Sequence, residues 1–207
     1  MSTVFVHLGI SVDGYVAGTN RGIKNPMGDR SRSLHQWLFD QKAFKDRLGL
    51  PGEGKTGADN DWAESCFNRI GANIMGKRMF EEGEACWPEK APFGKPVFVL
   101  THEKREPWVR PGGTTFYFVN DPLERVLSMA REAAGHKDVR VCGGRDIVVQ
   151  YLNAGLVDEL VLDVAPVLMG DGLRLFERID REKVKLSIME TFHSPVVTHT
   201  RYAVTKT

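Results

Sequence analysis

The chain has 207 residues, 42% of them hydrophobic, with 28 basic side chains against 27 acidic ones and a net charge of +1. That balance gives no basis for a nucleic-acid or membrane partner held by bulk charge, and no apolar run is long enough to span a bilayer. Cys66, Cys86 and Cys142 are odd in number and far apart, and the six histidines lack metal-ligand spacing, so reduced thiols, no metal and a cytoplasmic protein are expected.

The length suits one domain over residues 1–207. Thr3 to Ser11 alternates and is β-branched, which predicts a strand, ended by the turn pair Asp13-Gly14. After a polar loop, Ser33 and Gln36 form a capping-box pattern, and Leu34, Trp37, Leu38, Phe44 and Leu48 fit one helical stripe closed by Gly49. A second helix is expected from Asp59 to Arg69, a short strand at Asn73 to Met75, and a further helix from "GKRMFEE".

"PVFVLT" (96–101) and "TTFYFV" (114–119) predict buried strands. "NDPLERVLSMAREAAG" predicts a helix with Asp121 as cap, Pro122 as its first residue, Glu124 in the box position and Gly135 as stop. "VRVC" (139–142) is expected to be a strand running through Gly143 and Gly144 into a helix that ends at Asn153. Val157 to Val167 follows as a long strand, and the tail forms an antiparallel hairpin breaking near Ser194 and Pro195. Strands separated by helices predict an α/β fold with a mostly parallel central sheet flanked by helices.

Gly49 to Thr56 spells G-x-x-x-x-G-K-T, the pattern of a nucleoside-triphosphate P-loop. A P-loop needs a buried strand before it and a helix starting at its Lys-Thr. Here an amphipathic helix precedes it and "GADND" follows, so an accidental match in a surface loop is expected. An NTPase is the remote alternative.

Two other turns carry more chemistry. "NIMGKRMF" (73–80) and "VRVCGGRDIV" (139–148) each run an apolar strand through glycine directly into a helix. Such a turn presents unpaired backbone N–H groups and the positive end of a helix dipole at a sheet edge, where α/β proteins bind ligands. Gly143 and Gly144 lack a Cβ, so a pyrophosphate could approach the backbone. Lys77 and Arg78 add charge at the other turn. His102, Lys104 and Arg105 after the 96–101 strand form a second basic cluster suited to a ribose 2′-phosphate.

"SVDGYVAG" (11–18), "NIMGKRMFEEG" (73–83), "VFVLT", "VCGGRDIVVQYL" and "GLVDELVLDVAPVLMGDGLRLF" (155–176) together make the chain resemble the dihydrofolate-reductase-like family. The resemblance is strongest to its branch containing the RibD C-terminal, or riboflavin-biosynthesis reductase, domain. It implies an oxidoreductase of dihydrofolate-reductase-like fold that uses NADPH on a small heterocyclic substrate, pterin-like or pyrimidine-like, and assembles as a homodimer. Cofactor positions implied are Gly76, Lys77, Arg78, Thr101, His102, Gly143, Gly144, Arg145, Asp146 and Ile147. Substrate is implied at the first strand, the loop after Gly18 and the helix near Asp59, with His7, Asp13 and Trp62 beside it. The family's carboxylate-then-Trp spacing falls on Asp59 and Trp62, with Asp61 as the competing carboxylate and a helix cap as Asp59's alternative role. Riboflavin-pathway reductases usually have a glutamate and a lysine where this chain has Cys142 and His7, which weighs against their phosphorylated substrate. A dinucleotide-binding protein without turnover is the other reading.

Overall fold

The structure, a computed structural model, describes residues 2–206. Its elements in chain order are β1 (Val4–Ser11), β2 (Tyr15–Ala17), α1 (Arg32–Phe39), α2 (Lys42–Leu48), α3 (Ala58–Asn68), β3 (Ile70–Gly76), α4 (Lys77–Glu84) and β4 (Pro96–Leu100). They continue with β5 (Trp108–Arg110), β6 (Thr114–Val119), α5 (Leu123–Ala134), β7 (Asp138–Gly143), α6 (Arg145–Asn153), β8 (Glu159–Ala165), β9 (Leu173–Arg174), β10 (Val184–His193) and β11 (Thr198–Lys206).

Nine strands form one sheet in the order β10-β11-β8-β1-β7-β3-β4-β6-β5. The six strands from β8 to β6 run parallel, and β11 joins β8 antiparallel, carrying the β10–β11 hairpin expected from the tail. Period-two alternation decides which face each residue covers. Val4, Val6, Ile74 and Phe98 pack with α5 and α6, while Phe5 packs with α1 and α3, and Met75, Val97 and Val99 pack with α4. Helices therefore cover both faces, as a parallel sheet requires. No helix among the described residues is long and apolar enough to cross a membrane.

Three local expectations need correction. The stripe from Leu34 to Leu48 is two helices, because Lys55 donates its N–H to the Asp40 carbonyl and accepts from the Lys42 N–H. Those bonds take the Asp40 carbonyl and the Lys42 N–H out of the helical ladder, and the Gln41 side-chain amide donates to the Trp37 carbonyl across the break. The first of these helices is preceded by Ser31, and the Ser33 hydroxyl bonds back to the Arg30 carbonyl instead of capping. Pro122, not Asp121, is the residue before α5, its carbonyl accepting from Arg125 and Val126. Gly49 does end α2 in the left-handed conformation (φ 63°).

The G-x-x-x-x-G-K-T segment is the loop that makes this bridge. It follows a helix, and the Lys55 ammonium pairs with Asp40 at 2.8 Å. A helix precedes it where a phosphate-binding loop needs a strand, and α3 begins at Ala58, past the Lys-Thr pair at which the phosphate-binding helix would have to start.

Candidate active site

β7 and β3 are neighbours, with Met75 opposite Gly143, so the two glycine turns lie side by side at the C-terminal edge of the sheet. They also touch. A Cβ on Gly76 would sit 2.8 Å from Ile147 Cγ1, and one on Gly143 would sit 2.9 Å from Met79 Sδ. Gly143 has φ +127°, so glycine there is a demand of the fold itself. Gly144 differs: its φ of −66° suits any residue, and a Cβ there would meet nothing within 4 Å. Open space lies over this backbone at the head of α6.

Arg145 is the next residue. Its side chain is buried, and its Nε and Nη1 have no hydrogen-bond partner. Asp146 lies 3.0 Å from Nε but off the N–H direction, and Glu177 is 3.8 Å from Nη1. The bare glycine backbone at the head of α6 is suited to the diphosphate of a dinucleotide, while the unbonded donors of the next residue, Arg145, lie closed to solvent near Asp146 and Glu177.

The other expected cofactor residues spread toward β4. Lys77 opens α4, with its ammonium 2.5 Å from Glu103 and 3.4 Å from Glu81. Arg78 is exposed. Thr101 is buried, and its hydroxyl accepts from the Glu103 N–H. His102 is exposed and lies 2.7 Å from the Asn120 amide oxygen. Arg105, one of the three residues of the basic cluster read from the sequence, is held by Glu84 and stacked over Phe118 and Phe80.

On the opposite flank β11, β8 and β1 carry a buried polar cluster. Asp163 lies in the middle of β8, and its Oδ1 accepts from Trp62 Nε1 at 3.0 Å and sits 2.6 Å from His199 Nδ1. Its Oδ2 lies 2.6 Å from His7 Nε2. His199 Nε2 reaches Asp59 Oδ1 at 3.3 Å. The cluster thus links the interior to Asp59, whose side chain is 15% exposed.

Burial by itself lowers the pKa of His7, but the adjacent Cys66 thiol and Asp163 carboxylate outweigh it and hold the imidazole up at about 10. Burial raises Cys66 and Asp163 in turn. His7 more than offsets this for Cys66, and His7 with His199 brings Asp163 down to about 2. His7 is therefore an imidazolium set between a carboxylate and a thiol.

Several expected substrate contacts are placed differently. His7 and Trp62 lie within the cluster, beneath the surface, so they shape it and are not laid open to a ligand. Asp13 accepts from the Ser11 hydroxyl and from the Met169 and Gly170 N–H groups, fastening the turn after β1 to the turn after β8. These bonds, that from Ser11 foremost, hold its carboxyl at about 2. Asp59 is in the first turn of α3 and does not cap it, since Gly57 precedes the helix. Asp61 is exposed and outside the cluster. Cys142 is buried, its thiol pointing at the Ile74 carbonyl. The Asp163 and His199 roles were missed; the available signal was an aspartate inside an otherwise apolar buried strand, which demands partners.

The face of β1 at which substrate was expected is covered by α1. Trp37 packs edge-on against His199 at 4.7 Å, Leu34 is fully buried, and a Cβ on Gly9 would strike His35 at 2.8 Å. A wide cleft of about 840 Å³ lies instead on the outer side of α1 and α2, lined by Met27, Arg30, Phe39 and Phe44 among others. It includes none of the glycine-turn or Asp163-cluster residues, so its size is unrelated to the chemistry described above. Among the described residues, no three His, Cys, Asp or Glu side chains are arranged to hold a metal.

A mostly parallel α/β sheet with glycine turns at adjacent strand ends and a carboxylate on the preceding helix defines a protein of dihydrofolate-reductase-like fold. The family model for the RibD C-terminal domain matches residues 2–199, and the chain belongs to that family. It is 27% identical over 164 residues to YyaP, an uncharacterized protein of Bacillus subtilis, covering 70% of this chain and 84% of YyaP. A Shewanella sp. PV-4 protein named for riboflavin biosynthesis superposes with a TM-score of 0.69 at 20% identity, over 99% of both chains. Dihydrofolate reductase from Enterococcus faecalis, complexed with NADP(H), superposes at 0.53 with 13% identity, over 98% of this chain and 96% of its own.

Proposed function

We propose that this chain is an NADPH-dependent reductase acting on a small heterocycle with a reducible C=N bond, pterin-like or pyrimidine-like. The observation that carries the reading is Gly144, whose backbone dihedrals suit any residue and which has open space above it, followed directly in the chain by Arg145, whose buried guanidinium has two donors without a hydrogen bond. The backbone N–H groups at the head of α6 and Arg145 would hold the diphosphate, and Lys77 and Arg78 the adenosine end. NADPH, when bound, supplies the hydride.

Hydride addition to the carbon of a C=N bond leaves an electron pair on nitrogen, which must take a proton. Asp59 is assigned as the group that delivers it. Solvent returns the proton to Asp59, whose side chain is 15% exposed, and His199, oriented by Asp163, fixes that carboxyl group through the 3.3 Å contact. The assembled unit proposed is a homodimer. The edge strand β10 supports this, because it exposes Leu186, Ile188 and Met189 along an unpaired backbone edge.

The test is NADPH oxidation, followed by absorbance, against a panel of oxidised pterins, folates and aminopyrimidines. Asp59→Asn is expected to slow turnover of any accepted compound by roughly 10²-fold while NADPH affinity stays within about twofold. Wild-type protein that binds NADPH but oxidises it with no member of the panel would favour the second reading, a dinucleotide-binding protein without turnover. The packing of α1 over β1 is the observation on that side.

A further inference from the structure

We infer that Glu103 sets the dinucleotide preference of this chain, weakening its selection of NADPH over NADH by occupying Lys77 where a ribose 2′-phosphate would otherwise be neutralised. This rests on the dinucleotide reading above and concerns the end of the ligand remote from the chemistry.

Sheet order places that end. β7, β3 and β4 are consecutive neighbours, and Gly76 pairs with Leu100. A ligand with its diphosphate on the Gly143–Gly144 turn, extending past Gly76, brings its adenosine over the ends of β3 and β4. Lys77 begins α4 directly after β3, and Thr101, His102 and Glu103 turn out of β4. The Thr101 hydroxyl accepts the Glu103 N–H at 3.1 Å, which fixes the backbone that carries the carboxylate.

The charges at this edge nearly cancel. Lys77, Arg78, Lys104 and Arg105 are the cations, and Glu81, Glu84 and Glu103 the nearby anions. Lys77 is shared between Glu103 at 2.5 Å and Glu81 at 3.4 Å, and Arg105 is bidentate to Glu84 at 2.5 and 3.1 Å. A 2′-phosphate brings roughly −1.5 to −2 charges and needs unpaired cations, so it must displace Glu103 and then sit beside it. A free 2′-hydroxyl needs only an acceptor, which a carboxylate at a strand end supplies. Glu103 therefore opposes the phosphate and favours the hydroxyl. Arg78 and Lys104, which have no carboxylate within ion-pair distance among the described residues, leave a residual preference for NADPH.

The experiment is a fluorescence titration of the full-length protein with NADPH and NADH, separately, in low salt. Glu103 is exposed, so Glu103→Gln leaves the fold intact, which a thermal melt verifies. The wild type is expected to bind NADPH less than about tenfold more tightly than NADH, and Glu103→Gln to widen that ratio by about tenfold, an effect that shrinks at high salt. In a Lys77→Ala background Glu103→Gln should change the ratio by less than about twofold, since the shared cation is gone. Wild type binding both dinucleotides, with Glu103→Gln leaving the ratio within twofold, would overturn the role of Glu103 while the dinucleotide reading stands. Wild type binding neither would overturn both.

Discussion

Gly144→Val is expected to lower the affinity for NADPH by at least 100-fold while the thermal midpoint stays within a few degrees of wild type. Both halves follow from one geometry. The backbone at Gly144 has φ −66° and ψ −179°, which valine adopts readily, and its Cβ would meet no atom within 4 Å outside residues 143–145. Protein packing is therefore undisturbed, and only a ligand lying on that backbone would be displaced. A branched side chain there holds the diphosphate off the N–H groups at the head of α6, and losing several charge-assisted hydrogen bonds costs several kcal/mol. Gly143→Val is the contrasting variant. Its φ of +127° and the Met79 sulfur 2.9 Å from the Cβ position predict a misfolded or strongly destabilised protein. If Gly144→Val bound NADPH as wild type does, the turn would be removed from the site.

Asp163→Asn is the second large effect, on stability. The carboxylate takes bonds from Trp62 and both histidines, and its charge offsets the His7 imidazolium in an interior where its own side chain is 3% exposed. Removing one partner of a buried ion pair costs about 3–5 kcal/mol, because the remaining charge is left uncompensated. For a chain of this size the midpoint should fall on the order of 10 °C. Asp46→Asn, which breaks only the exposed pair with Lys42, should change stability by less than about 0.5 kcal/mol.

The pH dependence of the wild type follows from the same cluster. His7 is raised from 6.5 to about 10, so its stabilisation is complete below pH 6.5 and is lost as pH rises through 10. Burial lowers His35 from 6.5 to about 4, so the unfolded chain takes up its proton first and stability falls as pH drops from 6.5 toward 4. Asp163 is lowered from 3.8 to about 2, and its contribution is lost below 3.8. The Cys66 thiol, held below its usual 9.0 by His7, gains stability as pH rises toward 9 and opposes the His7 loss up to there, so the midpoint should fall on the acid side below pH 6.5 and on the alkaline side above pH 9. In Asp163→Asn the decline on the alkaline side should flatten, because His7 no longer gains its carboxylate. A midpoint rising steadily from pH 6.5 to 10 would contradict the charge assignment.

Much of the sheet was legible because its strands are short apolar runs punctuated by glycine, proline and cap residues. "VRVCGG" and "NIMGK" announced their turns as strands meeting helices without an intervening loop. The split between α1 and α2 was not legible, since the apolar stripe continues across it and the break is made by backbone bonds to Lys55, fourteen residues beyond Gln41. Strands of two or three residues, such as Tyr15–Ala17, carry too little pattern to stand out. The Asp163 cluster joins residues 156 and 36 positions apart, and only the strand order β11-β8-β1 brings them together. The aspartate of "LVLD" (160–163) sits inside its strand and holds two imidazoles. The basic residues after β4 were visible, whereas the glutamates that neutralise Lys77 and Arg105 could be matched to them only in three dimensions.

The most direct measurement is a crystal of the protein grown with NADPH. The diphosphate is expected against the Gly144 backbone and Arg145, with the adenosine over the ends of β3 and β4. A dinucleotide seated instead in the cleft between residues 25–32 and the outer side of α1 and α2, with the Gly144 turn bare, would contradict the account.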